Sequence, residues 1–291
     1  MIAALRRAGL RVTVLSIEER RGIERLRATR ANLVLVDTIA AGAAAELERL
    51  RERGARVCTL ALMERGAAPL ARRSDRVIAV SRTLARDLAA RGIPRSRITV
   101  IPPGTDRMRR TALRRTDRAL CVANWTRAKG IRTLLAAIEL LPDVRLDLVG
   151  DTPDPVYARA VRSDLRRAPF RSRVRVHGEV RAARLRELYA RASFFVLPSI
   201  TESYGMAVSE ALAAGLPVIA CDIPATREVT GGAALLVPRG RVDPLSDAIA
   251  RVASDATLRG RLTLRARERA KRLPTWQQSE RGFVRAVRAM L

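Results

Sequence analysis

Two glutamates, Glu202 and Glu210, flank Gly205 in the stretch Phe194-Phe195-Val196-Leu197-Pro198-Ser199-Ile200-Thr201-Glu202-Ser203-Tyr204-Gly205-Met206-Ala207-Val208-Ser209-Glu210-Ala211. The apolar run reads as a buried strand ending at Pro198, followed by a loop and a helix that starts near Met206. Gly205 has no side chain, so backbone N–H groups at the helix start can face an anion or an electron-rich sugar hydroxyl directly. Glu202 stands just outside that helix. Glu210 lies about one turn inside it, on the face of Met206 and Ala207, so both carboxylates can border one cleft. Carboxylates accept hydrogen bonds from paired hydroxyls such as those of a ribose or a hexose. A pair of glutamates is by itself commonly a solvated surface feature, and here the setting across a glycine helix start favours a site.

A second cluster is Cys121-Val122-Ala123-Asn124-Trp125-Thr126-Arg127-Ala128-Lys129-Gly130. It reads as a strand-to-helix turn, and ligands of parallel sheets bind at such carboxyl-edge turns. Arg127 and Lys129 there can neutralise a diphosphate, and Lys129 is one of only two lysines, with Lys271, in an arginine-rich chain. Lone His177 follows a strand and reads as structural or solvent-facing rather than as a catalyst. With one histidine and three widely spaced cysteines, Cys58, Cys121 and Cys221, a zinc site and a disulfide framework are both disfavoured.

Short Val-, Ile- and Leu-rich runs alternate with longer helical patterns, as in parallel sheets flanked by helices. Strands are expected at 11–16, 32–37, 56–61, 76–80, 98–101, 119–123, 144–149, 173–176, 193–197, 217–220 and 234–237. Helices are expected near 18–28, 41–53, 82–92, 130–140, 156–167, 182–190, 206–214, 243–253 and 257–271. The fold class is therefore α/β, two Rossmann-like, doubly wound parallel-sheet domains in series. The first strand and its glycine-rich turn are expected to be missing, since Ala3 to Arg7 already reads as the helix that would follow them. Ile101-Pro102-Pro103-Gly104-Thr105-Asp106 interrupts the alternation and marks the boundary. The expected domains are 1–106, 107–274 and a last amphipathic segment, 275–291, with Trp276, Phe283, Val284, Val287 and Leu291 on one face.

The 291 residues carry a formal net charge of +27, which attracts anionic partners in general. The arginines sit among acidic residues on helices, with no aromatic interleaving or basic tail, so a solvated surface is favoured over a nucleic-acid face. Contact with an anionic membrane surface stays open. No run is long and apolar enough for a membrane span, and the N-terminus lacks a signal-peptide pattern, so a cytoplasmic protein, peripheral at most at the inner face of the membrane, is expected.

The second half resembles glycosyltransferase family 4, retaining enzymes with two facing Rossmann-like domains, the GT-B fold. The matching pieces, over about residues 76 to 291, are Val100 to Asp106, Lys129-Gly130, Leu148-Val149-Gly150-Asp151, Val176-His177-Gly178-Glu179-Val180 and Leu188-Tyr189-Ala190-Arg191-Ala192, together with the Glu202 to Glu210 motif, Gly215 to Ala220 and Ala234 to Pro238. The resemblance implies transfer of a hexose from a GDP- or UDP-linked sugar to a hydroxyl of a glycan, lipid or small molecule, with retention and without a metal or other cofactor. It implies that Lys129 holds the donor diphosphate, Glu202 contacts the transferred sugar and Glu210 binds the ribose hydroxyls. The stretch Tyr204, Gly205, Met206 and Ala207 would face sugar and phosphate, and Gly178, Glu179 and Val180 would flank the base. The family usually has an arginine five residues before the lysine; here Asn124 stands in that position, and Arg127 is expected to supply the charge. The first half has no histidine where relatives often place one. A nucleotide-sugar-binding remnant without transfer, a nucleic-acid binder and a sugar-nucleotide epimerase remain as rival readings.

Overall fold

The computed structural model describes residues 1–15, 24–26, 28–38, 44–63, 66–106 and 116–291. They fall into two compact units, Met1–Gly104 with Pro274–Leu291, and Thr105–Leu273.

The first unit holds a parallel sheet of four strands, β1 (Leu33–Asp37), β2 (Arg56–Ala61), β3 (Arg76–Ala79) and β4 (Ile98–Val100), in the order β1-β2-β3-β4. Successive side chains of a strand point to opposite faces, and the two faces collect separate cores. Val34, Val36 and Val57 pack with Leu26, Leu47, Leu50 and Leu70. Cys58 and Ile78 pack instead with Leu5, Phe283, Val287 and Met290. The second cluster recruits the last helix, Trp276–Arg288, which opens with a Thr275–Gln278 capping box. Gly104 permits this packing, because a Cβ there would lie 2.2 Å from the Trp276 backbone.

Two sequence expectations are corrected here. The buried face of the last segment uses Met290, just past the helix, rather than Leu291, which is 56% exposed, and Trp276 is 39% exposed. Residues 11–15 form no strand; no described neighbour supplies a ladder partner, and Val14 faces solvent. The helix expected over 18–28 lies outside the described residues except at 24–26, which are helical. The chain has a helix at Ile2–Arg7. Short helices at Ala67–Arg72 and Pro224–Thr230 escape the periodicity reading because they span too little chain to show a period.

The second unit holds six parallel strands, β5 (Arg118–Val122), β6 (Arg145–Val149), β7 (Val174–Gly178), β8 (Phe194–Leu197), β9 (Val218–Cys221) and β10 (Leu235–Val237), in the order β10-β9-β8-β5-β6-β7. Every residue of β8 and β9 is buried, which is why they read as unbroken apolar runs covered on both faces. The winding direction reverses between β8 and β5. In an open sheet of this kind the crevice beyond the carboxyl ends of the strands at such a reversal is where ligands bind.

Many arginines serve the main chain. In the first unit Arg56 donates to Met290 O at 2.9 Å, Arg76 to Ser96 O at 2.6 Å and Arg288 to Ala8 O at 2.8 Å. In the second, Arg269 donates to Glu228 O and Val229 O, both at 2.8 Å, and Arg259 donates to Val252 O and Ala253 O. These guanidinium groups satisfy carbonyls at helix ends and turns, so part of the positive charge is structural rather than free for an anionic partner. The three cysteines are free and buried, and burial pushes the thiols of Cys58 and Cys121 up to about 12, which keeps them protonated. Among the described residues no helix is long and apolar enough to cross a membrane.

Candidate functional site

The strand reversal fixes where to look: the turn after β5 and the loop after β8, whose strands pair side by side. The turn after β5 is pinned at both ends. Trp125, 2% exposed, donates its backbone N–H to Asp151 O at 2.8 Å. A short 3-10 turn, Arg127–Lys129, then ends at Gly130, whose φ is +65°. A Cβ on Gly130 would sit 2.3 Å from Pro198 O, so glycine lets the turn press directly on the end of β8. The N–H of Ile200 closes the contact by donating to Ala128 O at 2.7 Å.

That backbone contact brings Lys129 to Glu202, with Nζ 2.6 Å from Oε1. Ser199 donates to the same oxygen at 2.9 Å. The Glu202 side chain is only 8% exposed and that of Lys129 27%, so the pair is shielded more than a surface salt bridge. An ammonium has three donors, so Lys129 keeps two for a further acceptor.

The helix Met206–Ala213 begins at Gly205, φ +100°, which has no side chain of its own to cap the first N–H groups. Those amides and the positive end of the helix are therefore presented to an anion. Its start is braced by Ser209, which donates to Met206 O at 2.7 Å and receives the hydroxyl of Thr105 at 3.0 Å. On the same helix Glu210 accepts from the Tyr189 hydroxyl, 2.9 Å from Oε2. Burial pushes the Glu210 carboxyl up from the ordinary glutamate value; the Tyr189 hydrogen bond opposes this and the charge of Asp106 adds to it.

Beside the reversal, the ends of β5, β6 and β7 are stitched together. Ala123 donates to Val149 O and Gly150 to Gly178 O, each at 2.9 Å. A Cβ on Gly150 would fall 1.8 Å from Ala123 O, so only glycine fits. Gly178, φ +66°, is the opposite case: a Cβ there would meet nothing within 4 Å, which leaves open space beside the exposed Glu179 and half-buried Val180.

Lys129, Glu202, Gly205, Met206, Ala207 and Glu210 stand on the turn, loop and helix that flank the strand reversal. Asn124 and Arg127 are exposed on the same turn, and among the described residues Arg127 makes no side-chain ion pair. Tyr204 is different: its hydroxyl is buried without a hydrogen-bond partner, and its neighbouring charges are Arg269 and Glu228 on the outer helices. Burial pushes it up to about 12. Its side chain thus answers to the outer helical layer, and its backbone is what belongs to the glycine loop. His177 lies 3.0 Å from Asp147, which is also 3.0 Å from the buried Arg118, in a polar row across β7, β6 and β5. Sequence reasoning gave no role to Tyr189, Thr105, Ser199 or Ser209: Tyr189 and Thr105 meet partners 21 and 104 residues away, which leaves no spacing to find, whereas Ser199 and Ser209 bond within three residues and read as ordinary loop and helix serines. Among the described residues no group of three or more His, Cys, Asp or Glu side chains could hold a metal ion.

Comparison with known proteins bears on this geometry. The family model for glycosyl transferases group 1 matches residues 116–255, and that for glycosyltransferase family 4 matches residues 20–109. A D-inositol 3-phosphate glycosyltransferase of Xylanimonas cellulosilytica is 31% identical over 241 residues, covering 75% of this chain and 56% of that protein. The chain thus spans about half the length of this curated relative. The Anabaena HepE structure in complex with UDP and glucose superposes with a TM-score of 0.80 at 18% identity, over 99% of this chain and 88% of that one. A sucrose-phosphate synthase from Thermosynechococcus elongatus gives 0.78 at 21% identity, over 93% and 76%. Two parallel-sheet α/β units, the strand reversal with its glycine-framed turns, and matches to both family models lead to one conclusion: the chain belongs to the family 4, group 1 glycosyltransferases and has the GT-B fold.

Proposed function

We propose that the protein transfers a hexose from a nucleoside-diphosphate sugar, GDP- or UDP-linked, to an acceptor hydroxyl on a glycan, lipid or small molecule, with retention of anomeric configuration. The observation that carries this reading is the Lys129–Glu202 contact of 2.6 Å at the strand reversal, one helix start away from the shielded Glu210. As the bond from sugar to diphosphate breaks, the sugar becomes oxocarbenium-like and the leaving phosphate gains negative charge. Lys129, the exposed Arg127 and the uncapped amides at Gly205 are donors set around that charge, and donors fixed in advance stabilise the transition state more than the ground state. Glu202 holds Lys129 in place and offers its carboxylate to hydroxyls of the transferred sugar. Glu210 takes the ribose hydroxyls, and the open space at Gly178, with Glu179 and Val180, admits the base.

These residues supply charge stabilisation without a metal. The buried, protonated cysteines suit a reducing compartment, and we place the reaction in the cytoplasm, at the inner face of the membrane where the acceptor is a lipid. Losing one fixed donor of this kind typically costs about 10² to 10³ in turnover. Lys129→Ala is therefore expected to lower kcat by that factor in a product assay across UDP-glucose and GDP-mannose. Turnover near the unaltered level in this variant contradicts the reading, and donor binding without product from any acceptor reduces it to a binding role.

A further inference from the structure

The Glu210 carboxyl is held by a side chain from another element. That side chain is Tyr189, on the helix Ala182–Arg191. Tyr189 is fully buried, and its ring lies 5.9 Å from that of Phe195 in β8, tilted by 31°. A ring seated in this way has little freedom, so its hydroxyl is a fixed point. That hydroxyl reaches Glu210 Oε2 at 2.9 Å and lies 3.3 Å from Ala207 O, one turn earlier on the same helix as Glu210.

We propose that Tyr189 is a positioning residue, which fixes the Glu210 carboxylate so that its remaining acceptor sites meet the two adjacent hydroxyls of the donor's ribose. The inference rests on the reading of the site as a nucleotide-sugar site. A carboxylate has about four acceptor positions on two oxygens. One is taken by Tyr189, and the rest suffice for a vicinal diol. The hydroxyl also holds the group in its charged form. Among the described residues, two charged or titratable groups act on Glu210: Tyr189, which favours the carboxylate, and Asp106, which with burial disfavours it. Among the same residues, the group acting on Tyr189 beyond Glu210 is the buried Cys121, protonated and neutral. Without the phenol, Glu210 would face Asp106 and burial unaided and would take up a proton at higher pH.

Tyr189→Phe keeps the ring and its packing and removes only the hydroxyl. Calorimetric titration with UDP and with GDP between pH 5 and pH 8 compares the unaltered protein, Tyr189→Phe, Glu210→Gln and the double variant. Hydrogen bonds to charged groups are among the stronger ones, so Tyr189→Phe is expected to weaken nucleotide binding about tenfold near pH 6 and to raise the pH midpoint of affinity by about one unit. At saturating donor, kcat stays within about twofold of the unaltered value, because the reacting atoms lie at Lys129 and Glu202. In the Glu210→Gln background the same substitution is expected to cost nothing further, the signature of a residue acting through its partner. Unchanged affinity and midpoint in Tyr189→Phe, or losses that simply add in the double variant, overturn the inference. Should Tyr189→Phe fail to fold, fluorotyrosine incorporation decides: a more acidic phenol donates more strongly and lowers the midpoint, and an unmoved midpoint overturns the inference. If the unaltered protein binds neither nucleotide, the proposed function falls and this inference with it; binding that Tyr189 does not influence sinks the inference alone.

Discussion

The two units build parallel sheets from similar strands and use glycine for opposite ends. In Met1–Gly104 with Pro274–Leu291, the close approach at Gly104 admits the backbone of Trp276 and so seats a helix on the sheet. In Thr105–Leu273, Gly130 and Gly150 instead bring turns against strand ends, at Pro198 and Ala123, and thereby set side chains at the strand reversal. The polar groups follow suit. At the strand ends of the first unit Thr38 donates to Asp37 at 3.2 Å and accepts from the Met63 N–H at 3.2 Å, a local tie. The second unit gathers an ammonium, two carboxylates and an uncapped helix start from separate elements. A parallel sheet thus becomes a site where turns from non-consecutive strands are forced together, and stays a scaffold where they are not.

Substitutions can break this contrast. The largest expected effect is on the scaffold. Phe283, 2% exposed in the core that joins the last helix to β2 and β3, should cost about 3–5 kcal/mol as Phe283→Ala, read by denaturant unfolding. Nucleotide affinity of the folded fraction should change less than twofold if the second unit alone carries the donor site. A matched loss of affinity would erase the distinction between the units.

Within the second unit, the two kinds of glycine separate. Gly150→Ala places a methyl 1.8 Å from Ala123 O at a φ of +149° and is expected to cost about 3 kcal/mol or more. Gly178→Ala meets no atom and suffers only its left-handed backbone, φ +66°, for about 1 kcal/mol. Its added methyl should nevertheless weaken nucleotide binding, because it projects into the space assigned to the base. Equal melting temperatures for the two variants would mean that the stitched strand ends are not what shapes this edge.

The smallest effect is on pH. With the Glu210 carboxyl raised by burial, nucleotide affinity should begin to fall on acidification above the ordinary glutamate value of about 4.3. Stability runs the other way for this group. A carboxyl whose folded pKa exceeds its unfolded one contributes stability that is fully present below the unfolded value and is lost as pH rises through the folded value. Between the two, affinity and this contribution should move in opposite directions, measured by calorimetry and by thermal melts of the unliganded chain. Glu210→Gln should abolish both trends.

Much of this was legible in the sequence. Strands β8 and β9 announce themselves as apolar runs because they are covered on both faces, and Gly205, Glu202 and Glu210 stand close enough in the chain for their spacing to suggest a site. Lys129 was legible as a rare lysine at a strand-to-helix turn, but its contact with Glu202 was not, because it depends on Gly130 meeting Pro198. Tyr189 carried no signal of its own function, since its partner Glu210 comes from another helix and a tyrosine in a helical pattern looks ordinary on its own. Tyr204 is legible only as a neighbour of Gly205; that its hydroxyl is buried without a hydrogen-bond partner is not readable from spacing. The stretch 11–16 misled by composition: its Val and Leu content suits a strand, but residues 11–15 find no ladder partner among the described residues.

In the proposed reaction the turn ending at Lys129 receives a diphosphate, and titrating UDP, GDP and the corresponding nucleosides into the unaltered protein and into Lys129→Ala tests this. Diphosphates should bind the unaltered protein at least tenfold more tightly than nucleosides, about 1.4 kcal/mol, and Lys129→Ala should remove most of that margin. A margin that survives in Lys129→Ala, with the variant folded, contradicts it.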